Sequence, residues 1–219
     1  MNPAENAQER TRSGIIVGID FDNTIVGYDE LLWSVARERG LISDSTGATK
    51  REIRDRIRLL PDGEIEWQKC QAVLYGSRIA EARLIEGVGA FLKICRGREI
   101  PVHIVSHKTE FSRFDSSGTN LRTAALEWMA AKRFFAPDGL RFTERDVHFA
   151  ATRDGKIERI RELGCTHFID DLEETFLEPG FPEATVRLLY EPGRMSPAPP
   201  GVALMRTWQE IHDYFFGVD

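Results

Sequence analysis

Apolar and polar positions along this chain follow two rhythms. Ile15-Ile-Val-Gly-Ile19 is a continuous apolar run that passes straight into Asp20-Phe-Asp22-Asn-Thr24. A β-branched run ending in carboxylates predicts a buried strand that delivers those acids to a sheet edge. Asn23 and Thr24 suit a turn at that point, because their side chains bond to nearby backbone. The same pattern returns where Pro101–Val105 runs into Ser106-His107-Lys108, and where Thr166–Ile169 runs into Asp170-Asp171. Two further strands are expected at Val147–Ala150 and Thr185–Tyr190.

The second rhythm is helical. Residues 28 to 85 contain little that reads as a strand. Leu31, Leu32, Val35 and Ala36 form one apolar stripe, and Ile53, Ile57 and Leu60 a second that Pro61-Asp-Gly63 ends. Trp67, Cys70, Val73 and Leu74 mark a third. Further helices are expected over Val88–Arg96, over Leu121–Phe135 with Pro137-Asp-Gly139 closing it, over Lys156–Leu163 with Gly164 as its stop, and over Trp208–Phe216. Thr109–Thr119 and the proline-rich Pro192–Gly201 read as loops, and residues 1–13 as a disordered lead-in.

Strands alternating with helices predict a three-layer α/β sandwich with a central parallel, Rossmann-like sheet. The expected core is 14–27 with 86–219; the helical block 28–85 is a small independent layer, a lid over the sheet edge. In open α/β sheets ligands bind beyond the carboxyl ends of the strands. The acids after the first and fourth strands and Ser106 after the second would therefore converge on one edge.

Composition narrows the picture. With 219 residues the chain can bury a sizeable core, and 42% hydrophobic with 29% charged residues is ordinary for a soluble globular protein. A formal net charge of −6 argues against a nucleic acid polymer as partner. No apolar stretch approaches membrane-spanning length and no signal-peptide core is visible, so the expected location is cytoplasmic. Cys70, Cys95 and Cys165 are scattered and odd in number, which favours a reducing compartment and small buried side chains rather than structural zinc. Nothing in the sequence bears on oligomeric state.

Singly, most of these residues have ordinary readings. A D-x-D can be a turn, Ser106 a strand cap and Lys156 a solvated lysine. Taken in order, Asp20-Phe-Asp22-Asn-Thr24, Ser106, Lys156 and Asp170-Asp171 resemble the four motifs of the haloacid dehalogenase superfamily of phosphohydrolases, over roughly residues 14 to 190. The resemblance implies a helical cap inserted after the first strand. It also implies Asp20 as nucleophile and Mg²⁺ ligand, the Asp22 backbone carbonyl and the Asp170 carboxylate as further ligands, and Asp171 as a ligand through water or a supporting group. Ser106 would hold phosphoryl oxygens, with Thr24, His107 and Lys108 as substrate-binding candidates, and Lys156 would offset charge on phosphate and Asp20.

Chemistry supports the resemblance. Phosphate esters require charge neutralisation, an in-line nucleophile and a proton for the leaving oxygen. Mg²⁺ takes oxygen ligands and would relieve repulsion between the acids. Asp22 suits the general acid/base, which cleaving a carbon–chlorine bond would not need. The expected activity is hydrolysis of a small soluble phosphomonoester.

Some features depart from the pattern or compete with it. Lys108 reads equally as a contact to a second anionic group or as a surface residue, and Glu174 stands where an aspartate is expected to help hold Lys156. His103, His148 and His167 read as strand or core residues, and Arg51, Arg54 and Arg58 as a solvated face. The rival readings are phosphotransfer, carbon–phosphorus cleavage through a Schiff base on Lys50 or Lys69, and a catalytically silent scaffold.

Overall fold

The computed structural model describes residues 14–43, 49–115 and 117–217, so the lead-in expected over residues 1–13 lies outside the described residues. From the N-terminus the elements are β1 (Val17–Ile19), β2 (Val26–Gly27), α1 (Asp29–Glu38), α2 (Lys50–Arg58), α3 (Gly63–Tyr75) and β3 (Arg83–Leu84). Then come α4 (Val88–Gly97), β4 (Val102–His107), α5 (Leu121–Ala131), β5 (Val147–Ala150) and α6 (Arg153–Glu162). The chain continues through β6 (His167–Asp170), α7 (Glu173–Leu177), β7 (Val186–Tyr190), β8 (Val202–Met205) and α8 (Trp208–Phe216).

Six strands form one parallel sheet in the order β5-β4-β1-β6-β7-β8. Side chains alternate across it. Phe168 and Leu189 pack with Ile157 and Ile160 of α6 and Phe176 of α7 on one face. Their neighbours His167 and Tyr190 meet Phe215 and Trp208 of α8 on the other, with ring centroids 4.9 and 6.0 Å apart. Helices on both faces give the three-layer α/β sandwich expected of a parallel sheet.

β1 is buried along its whole length and lies between β4 and β6. Gly18 permits that close fit: a Cβ there would lie 2.5 Å from Phe168 Cδ2 and 2.9 Å from Cys165 Sγ. Because the chain leaves β1 for β4 on one side and later returns to β6 on the other, the crevice at the carboxyl end of β1 is a topological switch point.

The chain divides into two compact units. One takes in the residues up to Ile25, Ile85–His107 and the residues from Phe134 onward, and holds the sheet. The other consists of Val26–Leu84 and Lys108–Arg133. Within that second unit Thr49 caps α2 in a reciprocal capping box with Glu52. Tyr28 and Tyr75 meet edge to face, and the Trp128 indole N–H donates to the Ala82 carbonyl at 2.9 Å. This last bond and the buried Ala124–Trp128 face of α5 tie residues 108–133 to the helical block, whereas the pattern along the chain groups them with the sheet.

The structure corrects three details. β8 is a sixth parallel strand, in the stretch between the expected loop and helix to which the pattern along the chain assigns no element. α5 stops at Ala131 rather than Phe135: Arg133 takes a left-handed φ of 65°, which turns the chain so that Phe134 is buried against Phe142. Arg83–Leu84, in the block expected to hold little strand, pairs with Val26–Gly27 as a short antiparallel ribbon.

Candidate active site

Three parallel strands set the site. Asp20 follows β1 directly and its backbone N–H donates to the Ile169 carbonyl at 2.8 Å, so it lies beside the end of β6, where Asp170 is the last residue. Ser106 lies at the end of β4 and is 1% exposed. The crossover from β5 to β6 passes through α6, whose N-terminus is capped by Thr152 accepting from the Gly155 N–H, and this places Lys156 in the first turns of the helix.

The result is a buried ion triad. Lys156 Nζ donates to Asp20 Oδ1 at 2.6 Å and to Asp170 Oδ2 at 2.7 Å. Asp20, Lys156 and Asp170 are 5%, 2% and 0% exposed, so this is not a surface ion pair. The other oxygen of Asp170 accepts the Leu172 backbone N–H at 2.9 Å. Lys156 Nζ also lies 5.4 Å from the Phe168 ring centroid, which closes the site from below.

Asp20, Asp170 and Asp171 each offer an oxygen within 4.8 Å of one another, and the Lys156 ammonium bonds to two of the three acids. The Asp20 carboxyl is raised to about 7: burial is the main cause, Lys156 opposes it, and Asp170 and Asp22 add to it. Burial acts on Lys156 in the opposite sense, but Asp170 and Asp20 outweigh it and hold the ammonium above the usual lysine range. Three carboxylate oxygens this close together are a donor set that suits a hard divalent cation.

A turn follows β1 as expected, but backbone geometry makes it rather than the expected bonds from the Asn23 and Thr24 side chains. Asn23 has a φ of 63°, a conformation asparagine tolerates, and the Ile25 N–H closes on the Phe21 carbonyl at 3.0 Å. Trp208 Nε1 donates to the Thr24 carbonyl at 3.0 Å and pins the turn to α8. Asn23 Oδ1 and Thr24 Oγ1 are buried without a hydrogen-bond partner among the described residues. Asp22 is half-buried and close enough to act on both Asp20 and His107.

His107 Nε2 lies 3.2 Å from the Ala151 carbonyl, which ties the end of β4 to the loop before α6. Partial burial holds its imidazole below the usual histidine range, against the Ala151 carbonyl, with Lys156 and Arg153 adding to the lowering. Lys108 belongs to the second unit, where it is 3% exposed with Nζ 4.8 Å from the Tyr75 ring centroid. The reading of Lys108 as a surface residue is therefore corrected: an aromatic face covers it. Glu174 is exposed, and the bonds that hold Lys156 come from Asp20 and Asp170 instead.

His103 and His148 lie on neighbouring strands with ring centroids 5.5 Å apart, and among the described residues they join no acid or thiol cluster able to hold a metal. Arg54 pairs with Asp55, and Arg58 with Glu64, on an exposed helix. Cys70, Cys95 and Cys165 are buried free thiols. The Leu172 amide and Thr152 are contributors that sequence reasoning missed; a threonine before Arg153-Asp-Gly is a readable helix cap, whereas no residue type announces the amide.

No protein-family model matches the sequence, and no curated protein is similar to it by sequence. Solved structures do match its fold. A haloacid dehalogenase-like hydrolase from Streptococcus pneumoniae aligns with a TM-score of 0.59 at 14% identity, over 92% of this chain and 98% of that one. A hydrolase of the same superfamily from Deinococcus radiodurans, solved with bound phosphate and sodium, aligns at 0.52 and 16% identity over 91% and 94% of the two chains. A putative one from Bacillus subtilis, bound to magnesium, aligns at 0.53 and 15% identity over 93% and 99%. Among the described residues no helix is long and apolar enough to cross a membrane. In topology and extent, this chain has the fold of the haloacid dehalogenase-type hydrolases.

Proposed function

We propose that this protein is a Mg²⁺-dependent phosphatase that hydrolyses a small phosphomonoester through an aspartyl-phosphate on Asp20. One observation carries the reading: a buried lysine bridges two carboxylates, with a third acid alongside, at the carboxyl edge of a parallel sheet. The phosphate, sodium and magnesium found in structures of the same fold support it.

In the first step a carboxylate oxygen of Asp20 forms a bond to phosphorus while the bond from phosphorus to the ester oxygen breaks. Asp22 gives its proton to that leaving oxygen, and the alcohol departs. In the second step Asp22, now ionised, takes a proton from water, whose oxygen attacks phosphorus. The bond to Asp20 then breaks, freeing phosphate and regenerating both acids in their starting forms. Lys156 holds Asp20 in place and offsets charge on the phosphoryl oxygens throughout, and the Ser106 hydroxyl donates to one of them.

Asp20, Asp170, Asp171 and the Asp22 carbonyl would hold Mg²⁺, which supplies positive charge to neutralise the phosphoryl group. Thr24 and His107 would line the phosphoryl side, whereas Lys108, a substrate-binding candidate by sequence, is covered by Tyr75 within the second unit. We assign substrate choice to the helical block, in the role the family resemblance gives a cap. Schiff-base chemistry is less well supported, since Lys69 is paired with Glu66 at 2.6 Å.

The test is a screen of phosphate esters with Mg²⁺, run beside Asp20→Asn. Phosphate release by the parent and none by the variant supports the reading. Equal release by both overturns it.

A further inference from the structure

The acid-bearing turn after β6 is held from a distance. Arg194 lies in the proline-rich loop that follows β7, and its side chain is 10% exposed. Its Nη1 donates to Glu173 Oε2 at 2.6 Å and to Glu191 Oε2 at 2.7 Å. Its Nε donates to the Ser196 carbonyl at 3.1 Å and its Nη2 to the Pro197 carbonyl at 3.0 Å. Arg206 Nε in turn donates to the Arg194 carbonyl at 3.2 Å.

Fastening the loop to itself needs only Glu191 and the two carbonyls. The bond to Glu173 does something else: it reaches 21 residues back to the first residue of α7. Glu173 is joined directly to Leu172, whose N–H fixes Asp170 Oδ1, while Lys156 takes Asp170 Oδ2. The direction of the Asp170 carboxylate therefore depends on where the backbone at 172–173 sits. The Thr175 N–H holds the Leu172 carbonyl at 3.1 Å, and Arg194 reaches the same segment from outside the turn through the Glu173 side chain. A guanidinium suits the task, since its planar fork can satisfy two carboxylates and two carbonyls together where an ammonium cannot.

We propose that Arg194 is a positioning residue for the Asp170 carboxylate, acting through Glu173 and the Leu172 amide. Its consequence for cation binding rests on the function proposed above; the positioning itself does not.

Two measurements on the full chain separate these. Hydrogen exchange at the Leu172 amide, followed without metal or substrate, reads the positioning directly. Arg194→Gln and Glu173→Gln should each speed that exchange about tenfold, with Arg194→Lys intermediate and the β1 and β4 amides unchanged. Combining the two Gln variants should add little, because both break the same link. Unchanged Leu172 exchange, or a full additive effect in the double variant, overturns the proposal. So does an increase spread evenly over the sheet, which would mean simple loss of stability.

Calorimetric titration with Mg²⁺ alone then reads the consequence. Arg194→Gln should weaken Mg²⁺ about tenfold, the lower end of what losing a group behind a ligand costs. Unaltered affinity beside faster exchange would contradict the positioning role at Asp170. A parent protein that binds no Mg²⁺ would instead defeat the proposed function, with the exchange result still deciding the role of Arg194.

Discussion

Lys156 and Asp20, 136 residues apart in sequence, meet at 2.6 Å with both side chains buried. With Asp170 on its other side, this ammonium is a counter-charge that the fold provides for itself. Removing one partner from a buried ion pair leaves an uncompensated charge and costs about 3–5 kcal/mol. Lys156→Met should therefore lose stability of that order in chelator, and Mg²⁺ should restore part of it. Denaturant melts with and without Mg²⁺ test this; an unchanged midpoint in chelator would contradict the structural role.

Removing the metal should act on stability as well as activity. Asp20, Asp170 and Asp171 come together from segments far apart in the chain only when it folds, so a cation held by them stabilises the folded state. A ligand present at a hundredfold its Kd stabilises by about 2.7 kcal/mol. Chelation should abolish ester hydrolysis and lower the melting temperature, and added Mg²⁺ should reverse both. Hydrolysis that persists in chelator would remove the metal from the proposal.

Gly18 should tolerate no side chain. A Cβ would lie 2.5 Å from a Phe168 ring carbon. Overpacking of this kind costs about 1–3 kcal/mol. Because Gly18 lies two residues before Asp20, Gly18→Ala should reduce kcat as well as stability. Phe168→Leu added to it should recover part of the stability, as read by denaturant melts.

His103 and His148 set an acid limit on the fold. Burial lowers His103, opposed by Asp146. Burial also lowers His148, with His103 and Arg159 acting in the same sense and Asp146 and Glu162 opposing them. Both imidazoles thus prefer to be neutral in the folded protein, while the unfolded chain takes up protons near the ordinary value of 6.5. Their contribution is fully present above that pH and is lost as pH falls through it towards the lower folded values. Melting temperature should drop between about pH 7.5 and about pH 5.5, and drop less in His103→Asn/His148→Gln. Equal drops would assign the acid limit to other groups.

Much of this site was legible before any coordinates, because each strand end carries its chemistry in the next one or two residues: Asp20 after Ile19, Ser106 after Val105, Asp170 after Ile169. Parallel pairing then brings them to one edge. Gly164, left-handed at φ 64° after α6, is likewise visible as a helix stop. Other features were hidden for physical reasons. β8 is four residues with no strong β-branched pattern, and its strand character comes from pairing with β7. The early end of α5 is a tertiary effect of burying Phe134, which overrides local helix preference. Lys108 reads equally as a substrate contact or a surface residue, and its approach to Tyr75 shows that it is not exposed. Arg194 looks like an ordinary loop arginine, since nothing local announces a bond to Glu173.

The most direct test of the proposed chemistry is to find the phosphoryl group on the enzyme. A turnover with a hydrolysed ester and Mg²⁺, quenched in acid and digested, should yield the peptide containing Asp20 heavier by one phosphoryl group, with Asp20→Asn giving none. A phosphoryl group carried on another residue, or rapid hydrolysis with none trapped on Asp20 in parent or Asp22→Asn protein, would contradict it.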